Sequence, residues 1–402
     1  MQTALADYIR DTPKGHEADH ILRSCVHCGF CNATCPTYQL LGDELDGPRG
    51  RIYLIKQMLE GNAVSAHTLT HLDRCLTCRN CETTCPSGVR YGALLEIGRE
   101  LTEQEIRRPW AQRLPRWLLR QIIPYPARFT PLLRIGQVLR PLLPAALRRA
   151  VPTRQQRGVW PVPRHARTML VLEGCVQPAL APDINAAAAR VLDRLGISLI
   201  AAPGAGCCGA ASHHTSGAED GLDFARRNID AWWPFLEQGI EAIAMTASGC
   251  GVHVKEYGHL LRDDPAYTDK ARRVSALTKD ISEILAKEDL SKLSVNVQPG
   301  REIAFQSPCS LQHGQKLAGV VESILRGLGF HLTTVPDAHL CCGSAGTYSI
   351  LQPSISHPLR VRKLTALQSG SPDLIVTANI GCLAHLAADS SVPVRHWVEL
   401  LG

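Results

Sequence analysis

The pattern of apolar and polar residues divides the chain into three zones. The first zone, residues 1–105, contains helical patterns over Arg51–Glu60 and Tyr91–Thr102. The last zone, residues 168–402, alternates short apolar runs with longer helical ones. Its predicted strands include Thr168–Leu172, Ser198–Ala202 and Ile243–Ala247, and its predicted helices include Asn185–Leu195 and Gly221–Trp233. This alternation predicts α/β layering, so the chain as a whole is predicted to be α+β.

The middle zone, residues 106–167, is rich in arginine, proline and leucine. Its ten prolines predict a series of short pieces, because proline lacks a backbone donor and blocks the preceding helical turn. Between Arg107 and Arg167 the chain has fourteen arginines, no lysine and no acidic residue. The whole chain carries a net charge of +6, so the remainder carries −8 and the basic character is local.

The last zone contains an internal repeat that its cysteines reveal. Cys175 and the pair Cys207–Cys208 recur 134 residues later, and Cys250 and His253 recur 132 residues later; the second copies are Cys309, Cys341, Cys342, Cys382 and His385. Each copy is predicted as strand–Cys, helix, strand, Cys-Cys-Gly, helix and a strand that ends in Gly-Cys-x-x-His. The repeat predicts a duplicated α/β module with pseudo-two-fold symmetry, with residues 168–295 as the first module and 296–402 as the second.

Length and composition indicate a globular protein with unusual cysteine content. The 402 residues allow two or three domains, with 45% hydrophobic and 20% charged residues, but sixteen are cysteines. The polar start MQTALADYIRDTPKGHEADH has no signal-peptide pattern, and no run of about 18 uncharged apolar residues predicts a membrane span. We therefore expect a cytoplasmic protein whose cysteines are metal ligands or redox thiols.

Two cysteine runs in the first zone carry the strongest chemical signal. They are Cys25-x2-Cys28-x2-Cys31-x3-Cys35-Pro36 and Cys75-x2-Cys78-x2-Cys81-x3-Cys85-Pro86. This is the spacing of two-cluster ferredoxins, in which the fourth cysteine of each run serves the other cluster. The predicted ligands are Cys25, Cys28, Cys31 and Cys85 for one [4Fe–4S] cluster, and Cys75, Cys78, Cys81 and Cys35 for the second.

Other interpretations of this zone are less specific. Zinc sites use paired cysteines and need neither the third cysteine nor the trailing proline. His27 is expected to be solvated or to lie behind the ligands. The forty-residue separation of Cys35 and Cys75 leaves room for a helix, as in the helical ferredoxin domains of respiratory-type subunits. Arg49 and Arg51 either place positive charge near a cluster or form a solvated surface pair.

The repeated cysteines resemble the cysteine-rich module of heterodisulfide reductases, in which such motifs can hold a further metal centre. Here the final cysteine of that motif is replaced by His253 and His385, which leaves four thiols in each copy. Three alternatives stay open: a third iron–sulfur centre, redox thiols, or a zinc site or plain packing. Gly204-x-Gly206-x-x-Gly209 also fits a dinucleotide fingerprint, but the second copy keeps the cysteines without those glycines, so NAD binding is not expected.

The arginine-rich zone combines positive charge with aromatic and apolar residues. Trp110 and Trp117 lie beside Arg113, Arg116 and Arg120, and apolar residues recur at helical steps at Leu132, Ile135, Leu139, Leu142 and Ala146. This combination favours peripheral contact with an anionic membrane surface. Docking onto an acidic partner is the alternative. Nucleic acid is not expected as a partner, because no stacking platform or recognition motif accompanies the arginines.

With these motifs in hand, the chain resembles the iron–sulfur subunits of bacterial glycolate oxidases. The resemblance runs through SCVHCGFCNATCPTY, GPRGRIYLIKQMLEG, LDRCLTCRNCETTCPSGVRYG, SPCSLQHGQ, LCCGSAGTYS and NIGCLAHL. It implies a multi-subunit enzyme in which FAD-containing subunits oxidise glycolate to glyoxylate. This subunit would then relay electrons to the quinone pool at the inner face of the cytoplasmic membrane, with no catalytic residue of its own.

Rival functions remain at this point. One is a heterodisulfide-reductase-like subunit that acts on disulfides, and another is the iron–sulfur subunit of a lactate or glycerol-3-phosphate dehydrogenase. A zinc-stabilised nucleic-acid-binding protein represents a third, non-redox class. The sequence contains no Ser-His-Asp set, phosphate-binding loop or paired-carboxylate motif that would indicate hydrolytic or phosphoryl-transfer chemistry.

Overall fold

The structure is a computed structural model that describes residues 1–144, 148–149 and 151–402. Ala146, from the apolar series of the arginine-rich zone, lies outside the described residues. The chain forms two compact units: the first contains Met1–Pro115 and His339–Lys363, and the second contains Arg116–Ala338 and Leu364–Gly402. The sequence-based division at residues 105, 167 and 295 stays a prediction. The segment 339–363, which the repeat assigns to the second module, belongs to the first unit.

The N-terminal part of the first unit is helical. Thr12 and Ser65 cap two of its helices by accepting hydrogen bonds from backbone N–H groups three residues ahead, and prolines occupy the first position of three helices. Its buried core contains Leu22, Ile55 and Leu95. The helices are α1 (Asp7–Arg10), α2 (Pro13–Ser24), α3 (Phe30–Ala33), α4 (Pro36–Leu41), α5 (Pro48–Leu59), α6 (Ala66–Asp73), α7 (Asn80–Thr84) and α8 (Tyr91–Glu105).

The arginine-rich zone is more regular than its prolines predict. It forms two helices, α9 (Trp110–Ile122) and α10 (Pro126–Leu139), with Pro115 and Pro131 inside them. The expectation of short pieces is therefore wrong here. The residue four before each internal proline is an exposed alanine, so solvent can bond the carbonyl that loses its helical donor.

The second unit contains two parallel sheets. The strands are β1 (Arg167–Val171), β2 (Ile197–Ala201), β3 (Ile243–Met245), β4 (Thr278–Asp280), β5 (Glu302–Gln306), β6 (His331–Leu332), β7 (Leu374–Thr377) and β8 (Val394–His396). Their orders are β2–β1–β3–β4 and β6–β5–β7–β8, with all pairs parallel. Each sheet thus repeats the same order. The predicted α+β class, a helical cluster domain followed by a duplicated α/β cysteine-rich domain, is confirmed.

Helices connect the strands of each sheet, as parallel pairing requires. They are α11 (Gln177–Leu180), α12 (Asp183–Arg194), α13 (Ala210–His213), α14 (Ala218–Glu237), α15 (Ser248–Lys255), α16 (Tyr257–Leu260), α17 (Thr268–Leu277), α18 (Ile281–Leu285), α19 (Val320–Gly327), α20 (Tyr348–Leu351), α21 (Pro353–Gln368) and α22 (Ile380–Ala387). The Gly-Cys-x-x-His motifs were predicted at strand ends. Cys250 and Cys382 instead lie in the first turn of α15 and α22, because β3 and β7 end a few residues earlier.

Polar contacts join the two modules within the second unit. The Nε2 atom of His396 lies 2.8 Å from the carbonyl oxygen of Thr246, and the Ser248 N–H donates to the Ala378 carbonyl. Burial lowers the pKa of His396 to about 4, so its ring is neutral at neutral pH. A shared apolar core that includes Val171, Ile303 and Trp397 spans both modules.

Candidate metal centres

The first set of cysteines lines one cavity of the first unit. Cys25 follows the last residue of α2, Cys28 lies in the loop, Cys31 lies in α3, and Cys85 comes from the second run. Together they line about 440 Å³ of atom-free space. Positive φ angles at His27 and Gly29 curl the loop around this space. The His27 side chain is exposed and lies among the lining residues of this cavity, and the expectation that it is not a ligand stays a prediction.

The second set of cysteines lines a neighbouring cavity. Cys75, Cys78 and Cys81 of the second run and Cys35 of the first run surround about 300 Å³ of atom-free space. Thr77 and Arg79 have the positive φ angles that His27 and Gly29 have in the first loop, and the Thr77 N–H donates to the Cys75 sulfur at 3.4 Å. Cys81 lines both cavities, so the two lie side by side. The ligand assignment stays a prediction, but the structure groups the cysteines as that assignment requires.

The donor chemistry of both cavities fits iron–sulfur clusters. None of the sixteen cysteines forms a disulfide, and no histidine or carboxylate among the lining residues of the second cavity competes with its four sulfurs. Burial raises the pKa of Cys31 to about 11, with the nearby Cys25 adding to the effect, and burial also raises the pKa of Cys81 well above its ordinary value. Thiolates grouped in this way need a positive partner, which an iron core supplies.

A buried charged network lies beside the second cavity. Arg51 lines this cavity and is fully buried; its Nε donates to the His71 carbonyl at 2.7 Å and its Nη1 to Thr37 Oγ1 at 3.2 Å. Asp46, also fully buried, accepts from Arg51 at 3.5 Å, from Arg74 at 2.8 Å and lies 2.8 Å from His71 Nδ1. Thr37 in turn lies 3.2 Å from the Cys35 sulfur. The alternative of a solvated surface pair is therefore wrong for Arg51.

Arg51 keeps its charge in this environment. Burial opposes the charge, yet the neighbouring Tyr91, Cys75, Cys35 and Asp46 hold the pKa of Arg51 above its ordinary value. Arg49 differs: it lines the first cavity, is partly exposed and pairs with Glu44 at 2.6 Å. Sequence reasoning missed Asp46 and His71. Asp46 stands directly before the quoted GPRGR motif, but its contact with His71, 25 residues away, leaves no local pattern.

Four thiols of the first module converge in the second unit. The Cys207 sulfur accepts hydrogen bonds from the thiols of Cys175 and Cys208, and these bonds together with the Gly209 N–H lower the pKa of Cys207 well below its ordinary value. Cys208 also contacts Cys250. The same bonds raise the pKa of Cys175 and Cys208, since each acts as the donor. The first copy therefore forms one four-sulfur site, with His253 buried one helical turn after Cys250.

The cysteines of the second module are divided between the compact units. Cys341 and Cys342 belong to the segment of the first unit, whereas Cys309 and Cys382 lie in the second. The local geometry of the motif is nevertheless repeated: the Gly343 N–H donates to the Cys341 sulfur at 3.4 Å, as Gly209 does to Cys207.

The glycine of the Cys-Cys-Gly motif has a packing role. Gly209 and Gly343 have φ angles of 96° and 87°, and a Cβ atom there would come within 2.5 Å of the Gly221 oxygen and 2.6 Å of the Ser356 oxygen. Only glycine permits both the backbone conformation and the close approach. Gly209, the last glycine of the dinucleotide fingerprint, is therefore required for backbone packing. Gly343 in the second copy is required for the same reason.

Comparisons with known proteins agree with this architecture. Residues 21–89 match the family described as 4Fe-4S dicluster domain, and residues 169–255 and 303–387 each match the family described as Cysteine-rich domain. The chain is 58% identical over 402 residues to the glycolate oxidase iron-sulfur subunit of Escherichia coli (strain K12), covering 100% of this chain and 98% of that protein. It is 30% identical over 400 residues to the probable glycolate oxidase iron-sulfur subunit of Bacillus subtilis (strain 168), covering 91% and 88%.

A more distant similarity links the chain to a lactate-related protein. Lactate utilization protein A of Bacillus licheniformis is 25% identical over 237 residues, which cover 57% of this chain and 96% of that protein. The lactate-related alternative therefore has support over only part of the chain.

The crossed ligand assignment predicts the outcome of paired cysteine substitutions. If Cys85 serves the same cluster as Cys28, Cys28→Ala combined with Cys85→Ala should lose no more iron than Cys28→Ala alone, about half of that in the two clusters. Cys28→Ala combined with Cys35→Ala should lose nearly all of it. The iron loss of both double variants is measured by iron analysis and electron paramagnetic resonance of anaerobically purified protein. Any iron bound at a third centre is subtracted first. Additive loss in the first pair would contradict the crossing.

Proposed function

This chain belongs to the family of glycolate oxidase iron–sulfur subunits, and on that premise we propose that it carries electrons from an FAD-containing partner subunit to quinone. It would act as the subunit of a glycolate oxidase that does not itself oxidise the substrate. The observation that carries the proposal is the pair of adjacent cysteine-lined cavities that share Cys81. Adjacent cavities suit transfer between centres, and neither cavity contains a residue set for oxidising a hydroxy acid.

The residues around the cavities have distinct parts in this role. Iron–sulfur clusters, when bound there, accept and donate single electrons. The cysteines Cys25, Cys28, Cys31 and Cys85 would hold one cluster, and Cys35, Cys75, Cys78 and Cys81 the other. The Thr77 N–H and the Tyr91 hydroxyl donate to the Cys75 sulfur. Arg51 brings a permanent positive charge beside the second cavity, which favours added negative charge there.

The proposed route predicts substrate-dependent reduction of this chain only in the complex. Glycolate added without oxygen to the purified complex should bleach the visible absorption of the iron–sulfur centres, and a soluble quinone should restore it. The isolated chain should not respond to glycolate, because no described site on it removes hydride. D-Lactate added to the complex under the same conditions shows whether a close relative of glycolate also bleaches the centres. Bleaching of the isolated chain, or none in a complex with full flavin content, would contradict the proposal.

One observation favours a thiol–disulfide function as the second candidate. Cys207 has a lowered pKa beside two further thiols, which is typical of a nucleophilic cysteine. In that case reduced protein would be reoxidised by a disulfide substrate and not by quinone, so the same bleached sample distinguishes the two functions.

We also propose a third iron–sulfur centre at Cys175, Cys207, Cys208 and Cys250. Its support is the convergence of four sulfurs from three separate segments, with the Gly209 N–H directed at one of them. Metal ligation would also protect the adjacent pair from oxidation. The second-module set, Cys309, Cys341, Cys342 and Cys382, remains a candidate for an equivalent centre.

Iron analysis tests the third centre. Anaerobically purified protein should contain about twelve irons per chain, and Cys208→Ser should contain about eight. Cys207 should resist alkylation in the wild type and react in Cys208→Ser, whereas the matched variant Cys342→Ser should leave Cys207 protected. About eight irons in the wild type, together with ready alkylation of Cys207, would rule out this centre.

Finally, we propose that the arginine-rich helices bind the inner face of the cytoplasmic membrane. No described helix combines the length and apolar character needed to cross a bilayer. Helix α9 instead exposes an apolar face of Trp110, Leu114, Trp117 and Leu118, and α10 exposes Leu132, Ile135 and Val138. Part of the arginine charge is already paired: Arg108 with Asp73 and Glu103, Arg120 with Asp220, Arg164 with Asp193, and Arg167 with Glu241 and Glu288.

Vesicle flotation tests this membrane contact. Wild-type complex should bind anionic vesicles and be released by salt, because exposed charges are screened beyond about 8 Å at physiological ionic strength. Trp110→Gln with Trp117→Gln should weaken binding about tenfold or more, whereas the control pair Val159→Gln with Val162→Gln, also exposed, should not. Unchanged vesicle binding with loss of a partner subunit would show that the helices dock protein instead.

A further inference from the structure

The two cluster loops share one cysteine spacing but have opposite surroundings. Val26 in the first loop is 68% exposed, whereas Leu76, at the same position of the second loop, is 5% exposed. Phe30 in the first loop is 63% exposed, whereas its counterpart Asn80 is 2% exposed. At both positions the side chain of the first loop is exposed and that of the second loop is buried. One loop is covered by protein, and the other presents apolar side chains to solvent.

The cover of the second loop is a piece of this same chain. The Asn80 side chain donates to the backbone oxygen of His339 at 3.1 Å and to that of Thr34 at 3.0 Å. The buried Tyr348 donates its hydroxyl to the backbone oxygen of Arg74 at 2.8 Å. The segment 339–363 therefore closes the second loop through hydrogen bonds to the backbone beside that loop and to the Asn80 side chain.

The first loop has no such cover among the described residues. Its exposed side chains include Val26, Phe30 and His27, and the His27 ring lies 6.3 Å from that of the exposed Tyr53 on α5. Cys28, a predicted ligand, is itself exposed. Exposed apolar and aromatic side chains grouped around a redox site are typical of a protein-binding surface. We name Val26, His27, Cys28, Phe30 and Tyr53 the first-loop face.

We propose that the first-loop face is the docking surface for the FAD-containing subunit. This inference rests on the proposed function and adds the place at which the partner binds. The matched second loop, which a polypeptide covers, indicates that the first loop is also completed by polypeptide. Membrane lipid is the less suitable occupant, because the five residues of the face include no Lys or Arg and the neighbouring Arg49 is paired with Glu44, whereas α9 and α10 are rich in arginine. The exposed Cys28 would bring the partner's redox group close to the first cluster.

Substitutions on this face test the docking. The chain is co-expressed with its partner subunits, purified through a tag on this chain, and analysed for flavin and iron. Phe30→Asp and Val26→Asp should each lower the flavin recovered per chain about tenfold or more, because buried aromatic and aliphatic anchors dominate interfaces. Iron content should be unchanged. Ile350→Asp, at another exposed apolar residue of the first unit, is the matched control and should retain full flavin.

Tyr53→Asp distinguishes loss of docking from damage to the cysteine loop, because Tyr53 lies on α5 outside that loop. It should also lower the flavin recovered while the iron content stays unchanged. Retention of flavin by Tyr53→Asp and Phe30→Asp would overturn the proposal, as would equal loss in Ile350→Asp. Loss of vesicle binding with flavin retained would identify a membrane face and also overturn it. A wild-type complex that contains iron but recruits no flavin subunit would instead refute the proposed function.

Discussion

A [4Fe–4S] cluster has four iron corners that each need a cysteine, and a Cys-x2-Cys-x2-Cys loop reaches only three of them. In this protein each cavity is completed by the last cysteine of the other run, Cys85 in the first and Cys35 in the second. Neither loop can therefore build its cavity alone. The helices between the runs must return the chain to the first loop, and the packing of α5 against α8 around Ile55 and Leu95 holds that return.

The same geometry makes the charges of the first unit important. Sulfur atoms concentrated in a buried space repel one another when ionised, and Arg51 supplies a permanent opposing charge. A buried guanidinium is costly unless it is fully bonded, and loss of one partner of such a pair costs about 3–5 kcal/mol. Asp46, the His71 carbonyl and Thr37 meet this need. The network therefore joins α5, α6 and the turn before Cys75, so charge compensation also organises the fold.

The two copies of the cysteine-rich module have the same geometry at the Cys-Cys-Gly motif but different surroundings. Both Cys-Cys-Gly motifs direct a glycine N–H at the first sulfur with the same length, 3.4 Å, and both need glycine for the same close approach. Yet the first motif completes a four-thiol site in its own unit, whereas the segment with the second motif packs against the cluster loop of Cys75. The two cluster loops diverge likewise, one covered and one open. In both pairs the local motif is constant and the contacts it makes are not.

The sequence by itself determined the features that depend on spacing: the two cysteine runs, the offsets of 134 and 132 residues, the α+β class and the family. Ligand spacing and helix or strand periods are local properties, so residue order suffices to reveal them. Only the tertiary structure decided that Arg51 is buried against Asp46, that α9 and α10 continue past Pro115 and Pro131, and that residues 339–363 leave their module to cover the second loop. These outcomes depend on burial and on contacts between residues far apart in the chain. No local pattern records such contacts, because their energy arises only when the segments meet.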